Sequence, residues 1–174
     1  MTEHLWDTEF SQLFTRCLDR YREGDTDLQN YYTKEDLAFL FSIGYKPREF
    51  FDFVEDFADE GKPSPTTAVL IASVRRDFFH TIQKGELSEN ELMPEDLPAR
   101  DADLEGFVWL PRIIAKAEAK LRGELNPEIM FCCGGDRAFL TRHHVHPADF
   151  LRVTWAARGN HEAIANYVKA HTPQ

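Results

Sequence analysis

The segment Cys132-Cys133-Gly134-Gly135-Asp136 combines residue types that could do chemistry. Cys133 directly precedes a helix predicted over about 134–143, which places its thiol beside unpaired backbone N–H groups and the positive end of the helix dipole. Such a position favours the thiolate, which is the reactive form of cysteine. Gly134 and Gly135 carry no side chains that would shield those amides, so a ligand could approach the backbone. The segment predicts a site for an anionic small molecule, with Cys133 as catalytic nucleophile or redox thiol; the alternative is a tight loop around a packed thiol.

Further polar side chains could complete such a site. Guanidinium groups hold carboxylates and phosphates in a planar fork, which makes three arginines candidate anion-binding residues. Two histidines are candidate general bases, although no spacing identifies either one, so the reaction class and any enzymatic activity stay open. On the helix that carries Arg75, an ion pair between an arginine and Asp77 could equally serve only to stabilise the fold. The predicted binding residues are Gly134, Gly135, Asp136, Arg137, Arg112, Arg75, Asp77, His80 and His143.

A cluster of histidines follows the cysteines, at positions 143, 144 and 146. Zinc requires converging ligands, typically with C-x-x-C or H-x-x-x-H spacings, and neither spacing occurs here. His143 falls on the packed face of the predicted helix, His144 at the helix end and His146 before a proline, so the three side chains point in different directions. We therefore predict no metal site, and the sequence indicates no other cofactor.

Composition limits the class of protein. The 174 residues are 43% apolar, enough for one compact domain or two small ones. No run approaches the ~20 apolar residues of a membrane span, and the first residues lack a secretory signal, so we expect a soluble, cytoplasmic protein with reduced cysteines. The net charge of −10 argues against a nucleic acid or an anionic membrane as partner.

Apolar periodicity predicts an all-α fold. Four helices fit residues 6–85, four more fit residues 106–172, and glycines or prolines separate them. The segment 86–105 holds eight acidic residues, one arginine and two prolines with little periodicity, which predicts an acidic linker. Residues 107–174 carry nine Lys/Arg against six Asp/Glu, so the acidic excess lies in the first part of the chain, and the two parts could attract each other.

The two predicted four-helix units resemble each other at an offset of 100 residues. Without a gap, Asp36-Leu-Ala-Phe-Leu40 aligns with Asp136-Arg-Ala-Phe-Leu140, and Pro47 with Pro147; six of fifteen positions from 36 to 50 are identical. The same register aligns Thr33 with Cys133. The resemblance between the two units predicts an internal duplication, in which the units pack about a pseudo-two-fold axis and any pocket lies between them.

Two segments resemble a known family. Gly106-Phe-Val-Trp-Leu-Pro-Arg112 and Cys133-Gly-Gly-Asp-Arg-Ala-Phe-Leu140 are similar to the signature of the small bacterial helical proteins of domain-of-unknown-function family 5069. The resemblance covers about residues 104–170, and the first half looks like the N-terminal extension of longer members. It implies a helical fold and a bacterial, cytosolic setting, but no activity and no catalytic residues.

A function of another class is compatible with the same sequence. The protein could be a non-catalytic interaction module or a homodimeric scaffold, in which the acidic first half and aromatic-rich helices recognise a partner. Fourteen phenylalanines are many for a core of this size. This hypothesis predicts an exposed aromatic patch away from residues 132–137.

Overall fold

The computed structural model describes residues 5–173, and within that range the chain is mostly helical. It forms eight α-helices, three-residue 3₁₀ turns and one short antiparallel strand pair, which confirms the all-α class. The chain divides into two compact units between Leu87 and Ser88. No helix in the described range is both long and apolar enough to cross a membrane.

The first unit contains the helices α1 (Trp6–Arg22), α2 (Lys34–Ser42), α3 (Pro47–Glu60) and α4 (Pro65–Thr81). The helix starts follow local chemistry: Thr33 and Asp36 form a capping box at α2, and prolines occupy the first turns of α3 and α4. Helix α1 packs on α3 and α4, and its contact with α3 is aromatic, with the rings of Phe10 and Phe50 4.8 Å apart.

The second unit contains β1 (Asp103–Leu104), β2 (Phe107–Val108), α5 (Leu110–Arg122), α6 (Gly134–Arg142), α7 (Pro147–Ala157) and α8 (His161–His171). Helix α5 packs on α7, and α7 packs on α8. Glu105 and Gly106 join the two strands with φ of +53° and +83°, as a tight two-residue hairpin turn requires. Strands of two residues are too short for the alternation that sequence analysis detects.

The predicted linker 86–105 is wrong for most of its length, because residues 88–105 belong to the second unit. Ser88 donates a hydrogen bond to the Glu124 carboxylate at 2.7 Å, and the Leu92 N–H donates to the Glu124 carbonyl at 2.7 Å. Leu92 also forms an isolated parallel bridge with Leu125. These backbone and side-chain contacts fix the acidic segment against residues 124 and 125, although its composition alone is typical of a solvated loop.

The two units share local boundaries. Helices α2 and α6 both have nine residues and begin 100 positions apart, and α3 and α7 begin at Pro47 and Pro147. The residue two positions after each nine-residue helix, Gly44 or His144, has a left-handed backbone with φ of +73° or +55°. Chain segments in equivalent register therefore adopt the same turn.

The phenylalanines are mostly core residues. Nine of the fourteen are buried, and Phe41, at 55% exposure, is the one that is classed as exposed; all fourteen lie within residues 5–173. The high aromatic content therefore reflects packing inside the units and does not by itself indicate an aromatic interaction surface.

Candidate functional site

Cys133 occupies the N-cap position of α6 and is half-buried. Its backbone is extended, with φ −65° and ψ 174°, but its side chain makes no capping hydrogen bond to the helix. Thr33, at the same place before α2, does cap its helix by accepting from the Asp36 N–H at 3.1 Å. The sulfur of Cys133 instead accepts a hydrogen bond from Lys116 Nζ at 3.2 Å.

Lys116 and Asp136 form a buried ion pair behind this sulfur. The Nζ–Oδ2 distance is 3.1 Å, and the exposed fractions of the two side chains are 5% and 0%. The ammonium thus donates both to the carboxylate and to Cys133 Sγ. Water is largely excluded from the pair, so each charge depends on the other for stabilisation.

The Asp136 carboxylate also fixes two residues with unusual backbones. It accepts from Trp109 Nε1 at 2.9 Å and from the Cys132 N–H at 3.0 Å. Trp109 has φ +80° and Cys132 has φ +71°, left-handed conformations that cost about 1–3 kcal/mol for residues other than glycine. One carboxylate therefore holds the start of α5 and the residue before Cys133 in place.

The two glycines have different surroundings. A Cβ on Gly135 would lie 2.6 Å from the nearest atom of the Trp109 ring, so this position requires glycine for packing. A Cβ on Gly134 would meet nothing closer than Arg137 Nη2, at 3.8 Å. Both glycines are exposed; the indole lies against the Cα of Gly135, whereas the space around the Cα of Gly134 is open.

Arg137 and Arg112 add positive charge around this cluster. Arg137 Nη1 donates to the Cys132 carbonyl at 2.8 Å. Arg112 Nη1 donates to the Pro98 carbonyl at 2.7 Å, and its guanidinium lies 5.8 Å from the centre of the Trp109 ring. Both arginines are thus next to the residues that frame Cys133.

His143 lies at the opposite end of α6 from Cys133, about 15 Å away along the helix axis. It is buried between the rings of Phe107 and Phe139, and its Nδ1 is 2.9 Å from Thr172 Oγ1. Burial, together with the neighbouring Arg142 charge, holds the pKa of His143 below its usual value. His143 is a neutral packing residue, and the candidacy as general base for Cys133 is wrong.

The other predicted residues, Arg75, Asp77 and His80, lie on α4 in the first unit. Arg75 is fully buried; its Nη1 donates to Gln83 Oε1 at 2.6 Å, and its guanidinium packs over Phe79. Asp77 and His80 are exposed on the same helix. These contacts with Gln83 and Phe79 lie within the first unit, and the role of Arg75 as an anion-binding residue stays a prediction.

The histidine–cysteine cluster does not converge. Within residues 5–173, no group of three or more His, Cys, Asp or Glu side chains could hold a metal ion. His146 accepts from the Ala148 N–H and caps α7, while His144 is exposed at its left-handed turn. The third cysteine, Cys17, is buried, and burial raises its pKa to about 12.

An open groove of about 600 Å³ runs along α1 in the first unit. Its walls are polar side chains of α1 together with Val69 of α4, and they include none of the predicted site residues. The walls contain no cysteine, histidine or lysine, and their charged side chains are exposed.

Sequence reasoning missed Lys116 and Trp109 as site residues. A signal for Lys116 exists in the internal register, which aligns it with Arg16 just as it aligns Asp136 with Asp36. Arg16 and Asp36 form an ion pair in the first unit. The two segments singled out for their family resemblance do meet in space, since Trp109 of one contacts Gly135 and Asp136 of the other.

Comparison of the chain with protein-family models, curated proteins and solved structures gives no match. The resemblance to family 5069 therefore stays a prediction, and functional argument rests on the site itself.

Proposed function

We propose that the second unit carries a thiol-dependent site for a small anionic molecule, centred on Cys133. The observation that supports this most directly is the 3.2 Å contact between Lys116 Nζ and Cys133 Sγ at a helix start without a side-chain cap. An ammonium and a helix N-terminus both stabilise negative charge on sulfur, and the thiolate is the nucleophilic form. Because Asp136 shares the ammonium, Lys116 is held in one orientation towards the sulfur.

In this proposal each side chain has a distinct role. Cys133 is the catalytic residue that attacks an electrophilic centre of the ligand. The Gly134 N–H and the Arg137 guanidinium hold a carboxylate or phosphate group of the same molecule. Lys116 stabilises the thiolate, and Asp136 is a positioning residue that acts through Lys116.

We also propose that the site arose by duplication of a four-helix unit. Equal lengths of α2 and α6 and the ion pairs Arg16–Asp36 and Lys116–Asp136, in the same register, support a common origin. In that scheme a capping hydroxyl, at Thr33, is replaced by a thiol in the second unit. Free cysteines fit a reducing compartment, so we propose a cytoplasmic setting and membership of family 5069 on the resemblance alone.

The test compares two alkylating reagents of similar size, anionic iodoacetate and neutral iodoacetamide, with alkylation at each cysteine measured by mass spectrometry. We expect Cys133 to react at least about tenfold faster than Cys17, because Cys17 is buried and its pKa is raised. We also expect a higher iodoacetate-to-iodoacetamide rate ratio at Cys133 than for free glutathione, because the site attracts anions.

Two variants that each remove one positive charge separate the effect of Lys116 on Cys133 from the effect of the net charge of the protein. Lys116→Met should lower the rate ratio at Cys133 several-fold, whereas Lys169→Met removes an exposed lysine of α8 and should leave the ratio unchanged. Circular dichroism establishes that both variants are folded. A ratio at Cys133 equal to that of glutathione, and insensitive to Lys116, would show that the thiol is merely packed at the helix start.

A further inference from the structure

Cys133 and Lys116 bring two nucleophilic atoms into contact on separate elements. Sγ lies at the start of α6 and Nζ at the end of a side chain from α5, and they are 3.2 Å apart although the residues are 17 positions apart in the chain. The lysine is held by its buried ion pair, with 5% of its side chain exposed. The cysteine is half-buried, so a small oxidant can reach the sulfur, and the buried amine already contacts that sulfur.

We propose that Cys133 and Lys116 form a reversible covalent sulfur–nitrogen cross-link when the protein meets a hydroperoxide. This modification goes beyond the proposed function, since it uses the same sulfur but requires no anionic ligand. Its geometric basis is the Sγ–Nζ contact, and its chemical basis is the electrophilic character that sulfur acquires once it is oxidised to a sulfenic acid.

The reaction proceeds in two steps, oxidation of the sulfur and attack of the amine on it. First, the thiolate attacks one oxygen of the hydroperoxide: an S–O bond forms and the O–O bond breaks. The departing oxygen takes a proton and leaves as water or an alcohol, so that sulfur is oxidised by two electrons and the peroxide is reduced. The product, Cys133–S–OH, carries a sulfur that accepts attack by an amine.

In the second step Lys116 releases a proton to the Asp136 carboxylate, whose Oδ2 lies 3.1 Å from Nζ. The freed lone pair attacks sulfur, an S–N bond forms, and the S–O bond breaks. The hydroxide takes a second proton from nitrogen and leaves as water, with no further change in oxidation level. Two equivalents of an external thiol then restore the cysteine and the lysine and become a disulfide.

The adjacent Cys132 is a poorer partner for the oxidised sulfur. Consecutive Cα atoms across a trans peptide are about 3.8 Å apart, below the usual 4.4–6.8 Å of disulfides. Cys132 is also fully buried, and its N–H is held by Asp136. A disulfide between the two cysteines would have to disturb this backbone, whereas the amine of Lys116 is already in place.

The experiment treats the full chain with hydrogen peroxide and digests it with trypsin without reductant. We expect the peptide 123–137, which contains both adjacent cysteines, joined to a peptide that contains Lys116. Its mass is lower than the sum of the two peptides by two hydrogen atoms, trypsin no longer cleaves after Lys116, and treatment with a thiol reverses both changes. Fragmentation places the link at Cys133.

Three variants make the outcome decisive. Lys116→Arg keeps a cation against Asp136 but lacks a nucleophilic amine, and Cys133→Ser lacks the sulfur, so both should lose the cross-link. Cys132→Ser should retain it. If Cys133 ends as a sulfinic acid, or as a disulfide with Cys132, while Lys116 remains cleavable in the folded protein, the proposal is overturned. The iodoacetate comparison is independent of this result, so failure of the anion site and failure of the cross-link are distinguishable.

Discussion

The buried ion pair behind Cys133 makes a quantitative prediction about stability. In the variant Asp136→Ala, Lys116 loses its counter-charge in a site where 5% of its side chain is exposed. The Trp109 indole and the Cys132 N–H lose their acceptor as well. Removing one partner of a buried pair costs about 3–5 kcal/mol, a large fraction of the about 5–15 kcal/mol by which domains are stable.

The first unit supplies a matched control. Asp36 occupies the same place in α2 and pairs with Arg16, whose side chain is 56% exposed. A pair with one exposed partner contributes about 0–1 kcal/mol, and loss of a helix cap about 1 kcal/mol. Asp36→Ala should therefore cost at least about 1 kcal/mol less than Asp136→Ala.

The assay is urea denaturation followed by hydrogen exchange and mass spectrometry, which assigns unfolding to peptides of either unit. The double variant Asp136→Ala/Lys116→Met removes both charges, so it should unfold at a higher urea concentration than Asp136→Ala alone. If Asp136→Ala and Asp36→Ala cost the same, or if Lys116→Met gives no recovery, then the pair is not desolvated and the reasoning fails.

Two further predictions concern packing around α6. Gly135→Ala places a methyl group against the Trp109 ring and should lower the free energy of unfolding by about 1–3 kcal/mol. Gly134→Ala, where the space is open, should change it by no more than about 1 kcal/mol in the same urea assay. Equal losses of stability in the two variants would contradict the contact between Gly135 and Trp109. Because burial lowers the pKa of His143, the folded state resists its protonation, so stability should fall as the pH drops through the usual histidine range. His143→Gln should flatten this dependence and His80→Gln, at an exposed position, should not; an unchanged slope in His143→Gln would refute it.

The helices were predictable because their signals are local. Thr33 with Asp36, and the prolines at 47, 65 and 147, set helix starts through side-chain caps and a fixed φ, and these features act within one turn of chain. The start of α6 has neither a side-chain cap nor a proline, and its position follows from the register that aligns Cys133 with Thr33. Sequence reasoning was therefore sufficient for the element that carries the candidate nucleophile.

The surroundings of Cys133 depend on contacts that local patterns do not encode. Lys116 is a lysine in an amphipathic helix, a type that is mostly solvent-exposed, yet its exposure is 4% because Asp136 compensates its charge. Gly135 is required by an indole from 26 positions earlier, and the acidic segment after Ser88 is fixed by Glu124 across 36 positions. Each case depends on a tertiary partner, which periodicity and composition cannot identify.

The difference between the two helix starts explains why only the second suggests thiol chemistry. In the first unit the cation of Arg16 is largely in water, so its field at Thr33 is screened. In the second unit the Trp109 ring lies 5.8 Å from Lys116 Nζ and donates to Asp136, which excludes water from the pair. A desolvated ammonium in one fixed orientation acts strongly on its remaining neighbour, which is Cys133 Sγ. A cysteine at the helix start is thus insufficient by itself, and the reactivity proposed here requires the lysine, the carboxylate and the indole together.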